Sequence, residues 1–159
     1  MNRGLPMEAP PNTAQLQALI IPLKNWNLIL PQSLVAEVLP MPEVRLTQAA
    51  ERWLRGSIEW RGEELPLVSM DAYCKPGEDD AQQRTRRVVV LQGLGNGIEH
   101  YGLEIYSIPH PLRLVESEIQ LDDTECLCEL ITTHVHVSGV RGIIPELDIL
   151  EKEIVRAIG

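Results

Sequence analysis

The stretch CLCELITTHVH, Cys126–His136, gathers four side chains of the kind that hold metals. Cys126 and Cys128 are two apart, as are His134 and His136. Side chains two apart in an extended strand share a face. With Glu129–Thr133 as a loop, all four groups would face one another across a hairpin, and such a set suits tetrahedral zinc. This defines one reading of the chain, a metal-binding regulator or an enzyme built on Cys126, Cys128, His134 and His136. Two features oppose it. Structural zinc sites usually place paired ligands about two to five residues apart around a turn, unlike C-x-C and H-x-H. The run ELITTHVHV also alternates well enough to be a single strand, which removes the loop. Buried cysteines and half-exposed strand histidines occur widely without metal.

Other catalytic signatures are missing. There is no G-x-S-x-G elbow and no phosphate-binding G-x-x-x-x-G-K-[ST] loop. The GLGNG run, with Gly93, Gly95 and Gly97, is followed by no helical pattern, so it reads as a hairpin turn and not a dinucleotide site. His100 and His110 are isolated. The expectation is a protein that is no enzyme and carries no cofactor.

The bulk properties narrow the class further. The chain has 159 residues, with 14 Lys and Arg against 23 Asp and Glu, a formal charge of -9. That balance argues against a nucleic-acid binder, which needs a basic face, and against electrostatic attachment to anionic lipid. No apolar run is long enough to span a bilayer, so direct membrane insertion is not expected. The N-terminus lacks the apolar centre of a secretory signal. Three cysteines, Cys74, Cys126 and Cys128, are too few for a disulfide framework; reduced thiols and a cytoplasmic location follow. Phe is absent, so the core must rest on Leu, Ile and Val.

The elements that would position these residues are mostly strands. Residues 1–13 hold three prolines and read as a flexible lead-in, with one domain over 14–159. Gln15–Leu23 suits a strand entering a core, KNWN a turn, and LILP the return strand. TQAAERWLRG predicts a short helix, with Thr47 as its cap and Gly56 beyond its end. Gly56–Trp60 and Leu65–Val68 flank an Arg61–Gly62 turn. The polar run Lys75–Arg84, with its Pro-Gly, is the expected subdomain boundary, near 75–85. RRVVVLQG and HYGLEIYSI predict strands, and two more flank Ser138–Gly139. Leu147, Leu150, Ile154 and Ile158 recur at three- and four-residue steps and define a C-terminal helix. About nine or ten strands joined by hairpins point to a mainly β fold of antiparallel sheets or small barrels.

The order LPQSLVAEVLP, WLRGSIEWRGEELPLV, VVVL…YGLEI, IIPELDILEKEI resembles CheW-like chemotaxis coupling proteins. Leu54, Gly56, Arg61, Gly62, Leu65, Pro66, Leu67 and Val68 match that family's R-G-x-x-[IL]-P signature region. Ser69 and Met70 stand where the family usually has Asp-Leu, and the second half matches more loosely. Such divergence is similar to that of adaptors in pilus or surface-motility systems. The resemblance implies two five-stranded SH3-like barrels and a non-catalytic adaptor. Its implied partners are a chemoreceptor cytoplasmic domain and a CheA-like histidine kinase. It also implies protein-binding roles for Val35, Glu37, Trp60, Arg61 and Gly62. Arginine and tryptophan are enriched in binding hot spots. Strand alternation equally allows Trp60 to face the core with Arg61 solvated, and Val35 to be a core residue.

Overall fold

The structure is a computed structural model that describes residues 15–48, 51–75 and 86–159. In chain order its strands are β1 (Gln15–Pro22), β2 (Asn27–Pro31), β3 (Val35–Pro40), β4 (Leu54–Trp60) and β5 (Glu63–Val68). A short helix α1 (Met70–Cys74) follows, then β6 (Arg87–Gln92), β7 (His100–Ile105), β8 (His110–Val115), β9 (Gln120–Asp122), β10 (Ile131–Val137) and β11 (Val140–Pro145). The chain ends in helix α2 (Leu147–Ile158). The protein is mainly β, as its sequence predicts.

The strands form two sheets, one of six in the order β8-β1-β2-β11-β10-β9 and one of five in the order β3-β6-β7-β5-β4. Each wraps its own apolar cluster. Ile58, Trp60, Leu65, Leu67, Val88 and Val90 fill the five-stranded unit. Ala18, Ile29, Leu114, Val135 and Val137 fill the six-stranded one. The outer faces pack on each other and on α2, through Leu28, Leu30, Val89, Leu91, Leu103, Ile143, Leu150 and Ile154. This is why RVVVLQ reads as a continuous apolar run: Val88 and Val90 face one core, Val89 and Leu91 the other.

The five-stranded unit closes through the chain that leaves β3. Arg45 and Ser57 exchange two backbone hydrogen bonds of 2.8 Å, which join this chain to the free edge of β4. Gly56 makes room for that closure. It sits at a β-bulge with φ +143°, and a Cβ there would lie 2.1 Å from the Arg45 carbonyl oxygen.

Three expectations need correction. The short helix predicted from Thr47 does not form at its described residues: Arg52 and Trp53 turn, and Leu54 begins β4. Ala49 and Ala50 lie outside the described residues. Trp53 and Leu54 are pulled into the core, and that burial outweighs a local helix preference worth tenths of a kcal/mol per residue. The short helix is α1 instead, where the Ser69 hydroxyl accepts a hydrogen bond from Ala72 N–H at 3.1 Å.

Lys75–Arg84 does not divide the subdomains either. Residues 76–85 lie outside the described ones, as do residues 1–14, but β5 and β6 on either side share the five-stranded sheet. The chain changes sheets between β2 and β3 and again between β7 and β8. Polarity marks an exposed connection, whereas a change of sheet leaves no compositional trace.

The third correction concerns the thiols, which are not all reduced. Cys74, at the end of α1, is bonded to Cys128, and Cys126 is free and exposed. Fifty-four residues separate the pair, so only the fold shows the partnership.

Buried carboxylates tie the pieces together. Asp71 of α1 accepts hydrogen bonds from the Lys24 and Asn25 backbone and from the Asn25 amide, at 2.9–3.0 Å, and fixes the β1–β2 turn. Burial pushes its carboxyl up, and those hydrogen bonds oppose the shift. Glu151 of α2 accepts from Leu94 N–H at 2.9 Å and from Asn96 at 3.1 Å, which pins the GLGNG loop.

Gly56→Ala is expected to lower the unfolding free energy by about 2–4 kcal/mol, read as a fall in the urea midpoint. A loss under about 0.5 kcal/mol would show that the closure tolerates a side chain. Peptide mapping of oxidised protein without reductant should recover Cys74 cross-linked to Cys128, and reduction should cost about 2–4 kcal/mol. Recovery of Cys126 in the cross-link would contradict the fold around α1.

Candidate functional site

The β4–β5 hairpin turns in two residues, with Trp60 paired opposite Glu63. Arg61 has φ +50° and Gly62 φ +80°. Positive φ at both positions is the signature of a type I′ turn, whose twist matches that of the flanking strands. The opposite hairpin, at Ser138–Gly139, has the same pattern, φ +51° and +77°. Glycine adopts this conformation freely; for arginine it costs about 1–2 kcal/mol. Arg61 is therefore held in a disfavoured backbone region at the tip of a rigid hairpin.

What holds its side chain is Glu37, across the seam of the sheet. Glu37 Oε1 accepts from the Trp60 indole N–H at 3.0 Å and from Arg61 Nη2 at 3.1 Å. The Arg61 guanidinium lies 4.7 Å from the Trp60 ring centroid. The Trp60 ring packs in turn on His100, centroids 4.9 Å apart. Trp60 is 7% exposed and belongs to the inner core, while the Arg61 side chain is 67% exposed. So Trp60 faces the core, as alternation allows, yet its polar edge reaches the rim and braces the arginine. An ion pair this exposed adds at most about 1 kcal/mol of stability; its effect is to orient Arg61.

Val35 and Glu37 would share a face in a regular strand. They do not here. A bulge at Ala36 pairs Val35 with Leu91 and Glu37 with Val90. Val35 therefore packs toward the core between the sheets, beside Leu91, and Glu37 turns toward Trp60. The structure brings Glu37, Trp60 and Arg61 together, gives Gly62 the turn, and sets Val35 apart, half-buried. His100, which the sequence leaves isolated, is part of the same stack, and only the β4/β7 juxtaposition reveals it.

The Cys126–His136 cluster does not assemble. Cys128 is spent on Cys74. Cys126 Sγ lies 3.6 Å from the Thr132 carbonyl oxygen, and His136 Nε2 lies 2.8 Å from Asp122. His134 is buried. Among the described residues, no three His, Cys, Asp or Glu side chains are grouped to hold a metal ion. The metal-centred reading has no geometric support. Nor, among the described residues, is any helix long and apolar enough to cross a membrane.

The fold is similar to that of the scaffolding protein TtCheW from Thermoanaerobacter tengcongensis, with TM-score 0.68 over 84% of this chain and 90% of that one. At 15% sequence identity, this likeness speaks to fold alone. No curated protein matches the chain in sequence. A family model described as CheW-like domain matches residues 17–146, most of the chain, and the protein belongs to that family.

Proposed function

We propose that this protein is a non-catalytic signalling adaptor of a chemosensory pathway. It works in the cytoplasm and couples a chemoreceptor cytoplasmic domain to a CheA-like histidine kinase. Family membership sets the class. The observation that carries the site is the braced tip of the β4–β5 hairpin, where one carboxylate, Glu37, holds both Trp60 and Arg61.

That geometry suits recognition. Glu37 occupies one guanidinium nitrogen, Nη2, and the rest of the exposed fork is available to carboxylates or helix carbonyls on a partner. Because Arg61 is already oriented, binding costs it less side-chain entropy. Gly62, without a side chain, lets a partner approach the turn closely. Val35 would contribute from the neighbouring part of β3. Disulfides are rare in the cytoplasm, so in that compartment the Cys74 and Cys128 sulfurs are neighbouring thiols that bond on oxidation.

Two substitutions separate binding from folding. Arg61→Gly removes the fork and suits the positive φ, so stability should stay within about 1 kcal/mol. Arg61→Glu sets a second carboxylate beside Glu37. In a low-salt pull-down, each should reduce recovery of a receptor cytoplasmic fragment or of the kinase at least about tenfold. Undiminished recovery of both partners by either variant would remove Arg61 from the interface. Failure of the wild-type protein to bind a receptor fragment or a kinase would end the adaptor reading itself.

A further inference from the structure

We propose that a cavity on the far side of α1 binds a small organic carboxylate with an apolar body. The cavity has a volume of about 530 Å³ and shares no residue with the Glu37–Trp60–Arg61 cluster. It lies between the β1–β2 turn, the end of α1 and the chain entering β10. Trp26, Leu127, Ile131 and Ile143 supply apolar wall, and the Cys74–Cys128 bridge forms part of it. Its size falls within the range of small-molecule sites, and it combines apolar wall with polar groups.

The walls are pre-formed. Asp71 clamps Lys24 and Asn25 by three hydrogen bonds, which fixes the turn that carries Trp26. In the oxidised protein the Cys74–Cys128 bridge also ties the opposite wall to α1. A ligand entering here therefore meets a site that needs little ordering.

The unspent polar groups define the ligand. His134 is only 7% exposed and lines the cavity, and its ring nitrogens have no hydrogen-bond partner among the described residues. An imidazole nitrogen that opens into the cavity can be paired by a ligand there. Lys75 sits exposed at the mouth, its Nζ 5.8 Å from the Trp26 ring centroid, with no carboxylate partner among the described residues. Arg141 also lines the cavity, with Nε 3.3 Å from Asp122 and Nη2 2.6 Å from Thr124, contacts that engage two of its three guanidinium nitrogens. Among the described residues, Glu125, exposed, is the one acidic residue of the lining, in a chain whose net charge is -9. Among the described residues, one ammonium, one imidazole and the remaining edge of the Arg141 guanidinium match a carboxylate. A cation would find Lys75 at the entrance.

The test uses the full chain and three probes of equal chain length: 4-phenylbutyrate, its amide 4-phenylbutanamide, and 4-phenylbutylamine. Each is titrated while the His134 ring and Trp26 indole NMR signals are followed. The acid should shift both signals saturably and bind about tenfold more tightly than the amide, with the amine weaker still. Lys75→Met, a change at an exposed position, should weaken the acid about tenfold and leave the amide unchanged. His134→Phe should abolish the preference for acid over amide. Arg61→Glu should alter none of this, which separates the cavity from the adaptor surface. Equal binding of the three probes, an unmoved His134 signal, or indifference of the acid to Lys75→Met would each overturn the proposal.

Discussion

Val88, Val89, Val90 and Leu91 are consecutive, and none has measurable contact with solvent. A strand with no wet face has to lie between two apolar surfaces, and most of the architecture follows from that constraint. On one side β6 completes the interior of the five-stranded unit. On the other it meets β2, β11 and α2. Each additional CH₂ buried on either side contributes about 0.8 kcal/mol, so the seam between the sheets stabilises the fold in the same way as their interiors. The two sheets therefore share one buried apolar cluster, and separating them would expose it to water.

Core packing also matters at the surface. Arg61 lies in a backbone region that arginine rarely adopts, and a soft hairpin would relax out of it. The strands on either side of the turn are anchored by Trp60, Leu65 and Leu67 in the inner core, which leaves the backbone nowhere to go. Glu37 then meets the indole and guanidinium together because a bulge has rotated it toward them. Bulges recur where a strand must re-aim a side chain, and β3 is such a case. At the cavity, the Asp71 clamp on Lys24 and Asn25 holds the wall that carries Trp26.

Much of this was legible beforehand. The alternation of LRGSIEW, the double-sided RVVVLQ run and the stripe of Leu147, Leu150 and Ile154 each state a burial pattern directly. Glu151 is instructive, since it stands four residues after Leu147, on that apolar stripe, and is fully buried. A carboxylate at a stripe position signals a specific partner, here Leu94 N–H, although the sequence cannot name it. The helix expected from Thr47 shows the reverse. Its residues favour a helix locally, and the burial of Trp53 and Leu54 overrides that preference.

By itself the sequence determined the β-rich class, the terminal helix, the two-residue turn at Arg61–Gly62 and the family, because these depend on local periodicity and on residues close in the chain. Only the tertiary structure decided that Glu37 rather than Val35 braces Arg61, that Cys74 and not Cys126 is the partner of Cys128, and that His134 faces a cavity instead of a metal. Each of these rests on one residue of register or on pairs tens of residues apart. A single-residue shift reverses which face a side chain occupies, and long-range pairing leaves no periodic mark along the chain.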